Sequence, residues 1–375
     1  MERFGGKMKT GDFFLVILTA CLVIFGIVMV FSSSYYTAIN ERGDPYYFLK
    51  RDVVWAALGL CLMYATTFLD YRVYAKMAPH IMAASVVLLA LIFTPLGITR
   101  NYATRWLGAE GFPLTVMPGE IAKIAVIIFV SWYLASDPGR IRSLTRGILP
   151  LMGLCAVCAG LIIKQPNLST AITVSCIIVG IMFVAGLNTF YLAGLAGTGA
   201  AVVFGLIFSD KTGYWFGRFT SFLDPFADPV NSGYQAVQSL LALGSGGIFG
   251  LGLGKGLQKN LYLPEPQNDF ILAIIGEELG FIGCILLFAA YVLLIWRGVH
   301  IALGAPDMFG TLLASGITIM VAVQVLLNIA VVTSSLPPTG ITLPFVSYGG
   351  NALMLFMGSM GILINISRHS ARWPQ

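Results

Sequence analysis

FFLVILTACLVIFGIVMVF, residues 13–31, decides the fold. The segment carries no charge, and about 20 such residues in a helix cross the roughly 30 Å hydrocarbon core of a bilayer. It lacks a small-residue cleavage site followed by a soluble domain, so it reads as a first span and not as a signal peptide. The same pattern recurs along the chain. Apolar runs place spans near 13–34, 52–69, 78–95, 118–136, 147–163, 168–187, 189–209, 269–296, 309–332 and 344–366. The sixth and seventh are divided only by a turn at Asn188. Composition agrees: of 375 residues 57% are hydrophobic and 10% charged, with a mean hydropathy of +0.85. Soluble domains carry about 25% charged residues. The expected class is an all-α polytopic membrane protein of about ten transmembrane helices, forming one domain over 1–375.

Lys and Arg in short loops set the orientation. With the N-terminus inside, 11 fall on inner segments, among them Arg72, Arg140, Arg142, Arg146 and Arg297, and 6 on outer ones. Both termini are therefore expected in the cytoplasm. The long segment 210–268, just before the eighth span, is expected outside. The net charge of +5 is spread over loops. No basic run suggests nucleic acid. All six cysteines lie in apolar stretches. The Cys155/Cys158 pair has no histidine nearby, so it reads as packing and not as a redox or metal site.

Ionisable groups inside spans cost about 2.5–3.5 kcal/mol each on insertion scales, which makes them functional candidates. Glu120 and Lys123 lie three apart, on one helix face. They either pair structurally or line an outward cavity. Glu277 and Glu278 open the eighth span; a helix starting at Asp269 turns Glu277 toward the cavity and Glu278 toward another helix, and for each of them structural burial stands beside a part in the chemistry. Gln324 and Asn328 share a face and read as interhelical hydrogen bonders.

Residues 219–270 hold the densest polar information. Gly244, Gly246, Gly247, Gly250, Gly252, Gly254 and Gly256 permit tight turns and close backbone approach. They match neither a P-loop nor G-x-G-x-x-G in a strand–helix context. Their amides are placed either to cradle a phosphate or to fold the loop down into the bundle. Tyr234, Gln235, Gln238 and Ser239 form one helical face. Lys255 and Lys259 are either solvated loop lysines or cations that hold an anionic group. PEPQND, 264–269, then brings a proline-stiffened approach to Asp269. Asp269 is either a helix cap or a carboxylate delivered to the membrane surface as a general base.

Six segments carry a resemblance. They are ATRWLG (103–108), PGEIAK (118–123), QPNLSTA (165–171), TSFLDPFADPVNSGYQAVQS (220–239), GSGGIFGLGLGKGLQKNLYLPEPQNDFILAIIGEELG (244–280) and LPPTGITLPFVSYGG (336–350). Over nearly its whole length the chain resembles the SEDS proteins, the FtsW, RodA and SpoVE group, and WRGVHIALGAPDMFG (296–310) looks closest to the FtsW and SpoVE branch. Met117, Gly119, Asn167, Ser169, Asn351 and Ala352 depart from the usual family pattern. The resemblance implies a ten-span bundle that polymerises lipid II on the outer face of the bacterial cytoplasmic membrane. It implies a class B penicillin-binding protein as partner, with other division or elongation proteins and membrane lipid around it. It places Asp269 at the essential carboxylate, Arg105 and Trp106 at the functional pair of the outer loop, and Glu120 and Lys123 in the central cavity. Gln235, Lys255, Lys259, Glu277 and Ser347 complete the expected substrate cavity.

The chemistry that follows is inverting glycosyl transfer. Asp269 takes the acceptor hydroxyl proton, and Arg105, Lys255, Lys259 or a divalent cation (Mg or Mn) meets the departing diphosphate. Asp269 as a ligand to that metal is a variant of this scheme. Two other classes compete: a lipid II flippase, which the Glu120–Lys123 pair also suits, and a non-enzymatic scaffold for cell-wall machinery. Polar groups crowded on the outer face favour the enzyme. Division, elongation and sporulation roles are not separated by these residues.

Overall fold

The computed structural model describes residues 11–100, 103–108, 115–209 and 214–370. Among these residues twelve α-helices run α1 (Phe13–Arg42), α2 (Tyr47–Phe68), α3 (Arg72–Leu91), α4 (Pro118–Ala135), α5 (Leu149–Ile163), α6 (Leu168–Val184), α7 (Thr189–Phe208), α8 (Tyr214–Leu223), α9 (Tyr234–Gly246), α10 (Ile271–Gly304), α11 (Met308–Val332) and α12 (Gly350–His369). Between α3 and α4 lies a hairpin, β1 (Gly97–Arg100) with β2 (Ala103–Leu107). Among the described residues eight helices are long and apolar enough to cross a membrane. Two further expected spans correspond to α6, 17 residues long, and to α2, whose first turns carry Lys50, Arg51 and Asp52.

Local sequence explains the helix ends. The side chains of Asp12, Asn167, Asn188 and Asp307 each accept from a first-turn amide of the helix that follows, as good N-caps do. Asp12 also accepts from Arg297 Nε at 2.5 Å, tying the start of α1 to α10. The last span begins at Gly350 and not at 344. Pro344 lies within the irregular stretch 333–349, and Phe345 takes a left-handed φ of 67°, which no helix continues.

Helices α4, α11 and α12 form the centre, with 67%, 61% and 78% of their apolar windows buried. At the other extreme, α7 has 6% buried and stands at the margin. Helices α2 and α12 pack at close range through small residues. A side chain at Gly361 would overlap Thr66, and Thr66 Oγ1 donates to Gly358 O at 2.9 Å. In lipid such small-residue contacts, and not a hydrophobic drive, hold helices together.

The expected outer loop is more structured than its composition suggests. It contains α8 and α9, then turns back along α10. Helix α10 breaks at Gly280, where φ is 68° and ψ −166°. The break leaves backbone groups without helical partners, and residues 247–252 supply them. Leu251 N donates to Glu277 O at 3.0 Å and Gly252 N to Glu278 O at 2.9 Å; Phe281 N and Ile282 N donate to Gly247 O at 2.9 Å and Ile248 O at 3.2 Å. Buried backbone groups need such partners, and doubly so in lipid. Glycine is required on both sides: a Cβ at Gly250 would overlap Glu278 O, and one at Gly280 would overlap Gly250 N. The glycine run is therefore a packing device that folds the loop down into the bundle.

Candidate active site

Asp269 ends a turn stiffened by Pro264 and Pro266 and is half-buried just ahead of α10. Three contacts fix this turn. Asn268 Nδ2 donates to Glu265 Oε2 at 2.7 Å. Tyr348 N donates to Gln267 O at 2.9 Å. Asn328 Nδ2, on α11, donates to Asp269 O at 2.9 Å and to Ile341 O at 2.7 Å. The loop before α10 and the loop before α12 are thereby held against each other, with Asp269 between them. No first-turn amide of α10 receives a side-chain cap from this stretch, so the carboxylate is not spent on capping.

Arg105 reaches the same point from the hairpin. Strand pairing runs Ile98 with Trp106 and Thr99 with Thr104. Arg105 is therefore the extra residue of a β-bulge, a device that re-aims a side chain. Its Nη2 donates to Pro166 O. A Cβ at Gly340 would lie 3.2 Å from Asp269 Oδ2 and 4.0 Å from Arg105 Nη1, so both side chains converge on that glycine, whose φ is +73°. Arg218 of α8 joins them from a third side, with Nη1 donating to Pro338 O at 2.6 Å. Ser169 Oγ donates to Thr339 O, which fixes the same segment from α6. Residues 338–341 are thus a hub touched by α6, α8, α11 and the hairpin.

Burial is the main influence on the Asp269 carboxyl. It pushes the pKa up from 3.8 to about 6, and the nearby Glu265 charge adds to the rise. Arg105 and then Arg218 pull against it. The carboxylate is therefore a stronger base than a solvated one yet still ionised at neutral pH.

Below this layer the Glu120–Lys123 pair is buried at 2.7 Å. Lys123 Nζ also donates to Gln324 Oε1 at 2.8 Å, and Gln324 Nε2 reaches Thr342 O at 3.4 Å. The pair is linked through α11 to the hub that surrounds Asp269. Trp106 follows Arg105 on β2 and is half-buried. Gln235 is half-buried in the first turn of α9, and Lys255 is exposed in the folded-back loop.

Three expected cavity residues lie elsewhere. Lys259 is 2% exposed, with Nζ at 2.5 Å from Glu278 Oε1 and 3.1 Å from Ser32 Oγ. It neutralises a buried carboxylate and does not face an outer anion. Glu277 accepts from Leu257 N at 2.7 Å and Gln258 N at 3.1 Å, because the returning loop covers the helix face that was expected to look into the cavity. Its neighbour Glu278 accepts from Gly254 N at 3.0 Å, so one amide of the glycine run and two just beyond it are already used by carboxylates. Ser347 accepts from Leu343 N at 2.7 Å and closes its own turn. Conversely, Arg218 and Gly340 were not singled out from the sequence. Gly340 stood inside a quoted motif, and an isolated arginine ahead of TSFLDPF gave no spacing signal.

Comparison with known proteins places this geometry. The profile of the family described as cell cycle protein, that of FtsW, RodA and SpoVE, matches residues 13–372. The chain belongs to this family. Stage V sporulation protein E of Bacillus subtilis is 40% identical over 97% of this chain and 99% of its own. A probable peptidoglycan glycosyltransferase FtsW of a Geobacter species is 37% identical over 96% of this chain and 98% of its own. Among solved structures, a chain of a peptidoglycan synthase complex that coordinates polymerization and crosslinking superposes with a TM-score of 0.78. It is 28% identical, covering 96% of this chain and 99% of that one. The Thermus thermophilus rod shape determining protein RodA gives a TM-score of 0.71 at 28% identity, covering 98% of this chain and 100% of that one.

Proposed function

We propose that this chain is a peptidoglycan glycosyltransferase of the bacterial cytoplasmic membrane that polymerises lipid II, with Asp269 as its base. The observation that carries the reading is the convergence of Asp269, Arg105 and Arg218 on residues 338–341, in a chain whose relatives bear glycosyltransferase names. Asp269 accepts the proton of the acceptor sugar's 4-hydroxyl as that oxygen attacks the donor's anomeric carbon. The bond to the lipid diphosphate breaks, and the leaving group departs with the electron pair. Arg105 and Arg218 supply positive charge near the developing diphosphate in a partly dehydrated site. A second carboxylate is unnecessary, because diphosphate already leaves readily. The buried amide oxygens of Gln267 and Asn268 have no protein partner and suit sugar or peptide donors.

A divalent cation fits the protein groups only in part. Among the described residues no three His, Cys, Asp or Glu side chains converge, so Mg or Mn would rest chiefly on substrate diphosphate oxygens with Asp269 beside them. The likeness to a chain from a synthase complex supports a class B penicillin-binding protein as crosslinking partner. The test is lipid II polymerisation by the protein co-purified with its cognate transpeptidase. Asp269→Ala is expected to give no polymer while folding and partner binding persist. Wild-type product from that variant would sink the assignment. Lipid II scrambling by liposomes with no polymer would move the reading to a flippase.

A further inference from the structure

At the end of the bundle opposite Asp269, α4 and α5 enclose a second feature. Helix α4 starts next to the hairpin and runs away from it, so the turn from Ser136 to Ile148 lies at the far end. A cavity of about 300 Å³ opens there, lined by Phe129, Tyr133, Leu151, Gly153, Leu154 and Val157. Its walls are apolar apart from the Tyr133 hydroxyl, which donates to Arg146 O at 2.7 Å. The turn beside it, 136–148, carries three arginines, Arg140, Arg142 and Arg146, and one carboxylate, Asp137. The Arg140 guanidinium lies 4.6 Å over the Tyr133 ring and 3.5 Å from Asp137. Arg142 and Arg146 are exposed, and no carboxylate among the described residues pairs with them.

We infer that this groove is a binding site for an anionic phospholipid. One acyl chain occupies the cavity and the headgroup phosphate meets Arg142 and Arg146. Three observations support it together. The cavity is concave and apolar at the depth of a span, where a hydrocarbon chain fits and water gains nothing. Trp132 and Tyr133 mark the interfacial level, as aromatic residues do at a membrane boundary. The rim carries an excess of positive charge, and the loop charge count assigns this end to the cytoplasmic leaflet, where anionic lipids lie. Gly153 lines the groove and a Cβ there meets nothing within 4 Å, so the space in front of it is empty and a larger side chain would occupy it.

Native mass spectrometry of the delipidated full chain, titrated with phosphatidylglycerol and with phosphatidylcholine of the same chains, tests this. Wild type is expected to hold one phosphatidylglycerol more tightly than any phosphatidylcholine. The double variant R142Q/R146Q is expected to weaken that lipid by about twenty-fivefold, at about fivefold for each surface arginine, and to leave phosphatidylcholine unchanged. Gly153→Leu fills the groove and is expected to remove the tight lipid altogether. Equal retention of both lipids, less than a twofold change in R142Q/R146Q, or a full complement in Gly153→Leu would each overturn the proposal. So would displacement of the lipid by inorganic phosphate, which would indicate a bare anion site. Should Gly153→Leu fail to fold, the exposed arginine pair still decides.

Discussion

Replacing Lys259 with methionine tests the idea that the ionic contact under the loop holds the candidate site in register. The side chain is buried, and methionine matches its apolar stem while removing the ammonium. The loss is the 2.5 Å contact to Glu278 and the 3.1 Å contact to Ser32. Breaking a buried pair by removing one partner costs about 3–5 kcal/mol, because the other charge is left uncompensated. Glu278 would retain the Ser32 hydroxyl at 2.7 and 2.8 Å and the Gly254 amide at 3.0 Å. Two remaining donors place the cost at the low end, about 3 kcal/mol. That corresponds to roughly a hundredfold rise in local opening. Hydrogen exchange read by mass spectrometry is the assay. Amides of Leu251, Gly252, Leu257 and Gln258 should lose protection together, while the centre of α11 should not. Glycan polymerisation should fall in parallel, since PEPQND is the continuation of the same loop. Adding Glu278→Leu should restore most of the protection, because an apolar pair of similar volume can substitute for a buried ion pair. Protection within twofold of wild type in Lys259→Met would refute the reasoning.

Other outcomes follow from the same geometry. The rate of polymerisation should fall on the acid side with a midpoint near pH 6, as Asp269 gains a proton; a midpoint near 4 would remove the burial argument. Arg105→Gln should move that midpoint upward, because the guanidinium lowers the Asp269 pKa. A raised folded pKa means that the folded state binds more protons than the unfolded one between pH 3.8 and about 6, so the carboxylate's contribution to stability declines as pH rises through that window. Asp269→Asn should therefore melt higher than wild type at pH 7, with the gap closing below pH 4. Gly340→Ala introduces a Cβ 3.2 Å from Asp269 Oδ2 at a φ of +73°. It should cost about 1–2 kcal/mol of stability and most of the activity, measured on a properly folded preparation. Activity in excess chelator decides the part played by a divalent cation; full activity would leave the protein's arginines as the diphosphate's cations.

The span pattern was legible because a bilayer demands long apolar runs, and even the charged start of α2 did not hide one. The irregular parts were less legible for a physical reason. A helix starting at Asp269 turns Glu277 inward on paper, but the actual neighbour of that face is a loop 20 residues earlier in the chain. Periodicity describes one helix and does not describe what folds back against it. Lys259 shows the same limit: in the sequence it is one of two loop cations, and only the position of Glu278 and Ser32 distinguishes it from Lys255. Glu120 and Lys123 were readable as a pair because both lie on one helix, whereas their link to Gln324 crosses to another. The convergence on Gly340 needed four separate segments, none of which carries a local signal for the others.

The broken helix α10 has a consequence for how the chain is assembled. As it enters the bilayer, α10 brings Glu277 and Glu278 with no positive charge of its own nearby. Each acidic group is costly in hydrocarbon until something answers it. The answering groups, Lys259 and the amides of Gly254, Leu257 and Gln258, all lie upstream in the chain. Completion of α10 therefore waits on a segment made before it, which must return and descend into the bilayer. The site cannot form early by accident: Asp269 reaches its place only when the loop and the helix have closed on each other.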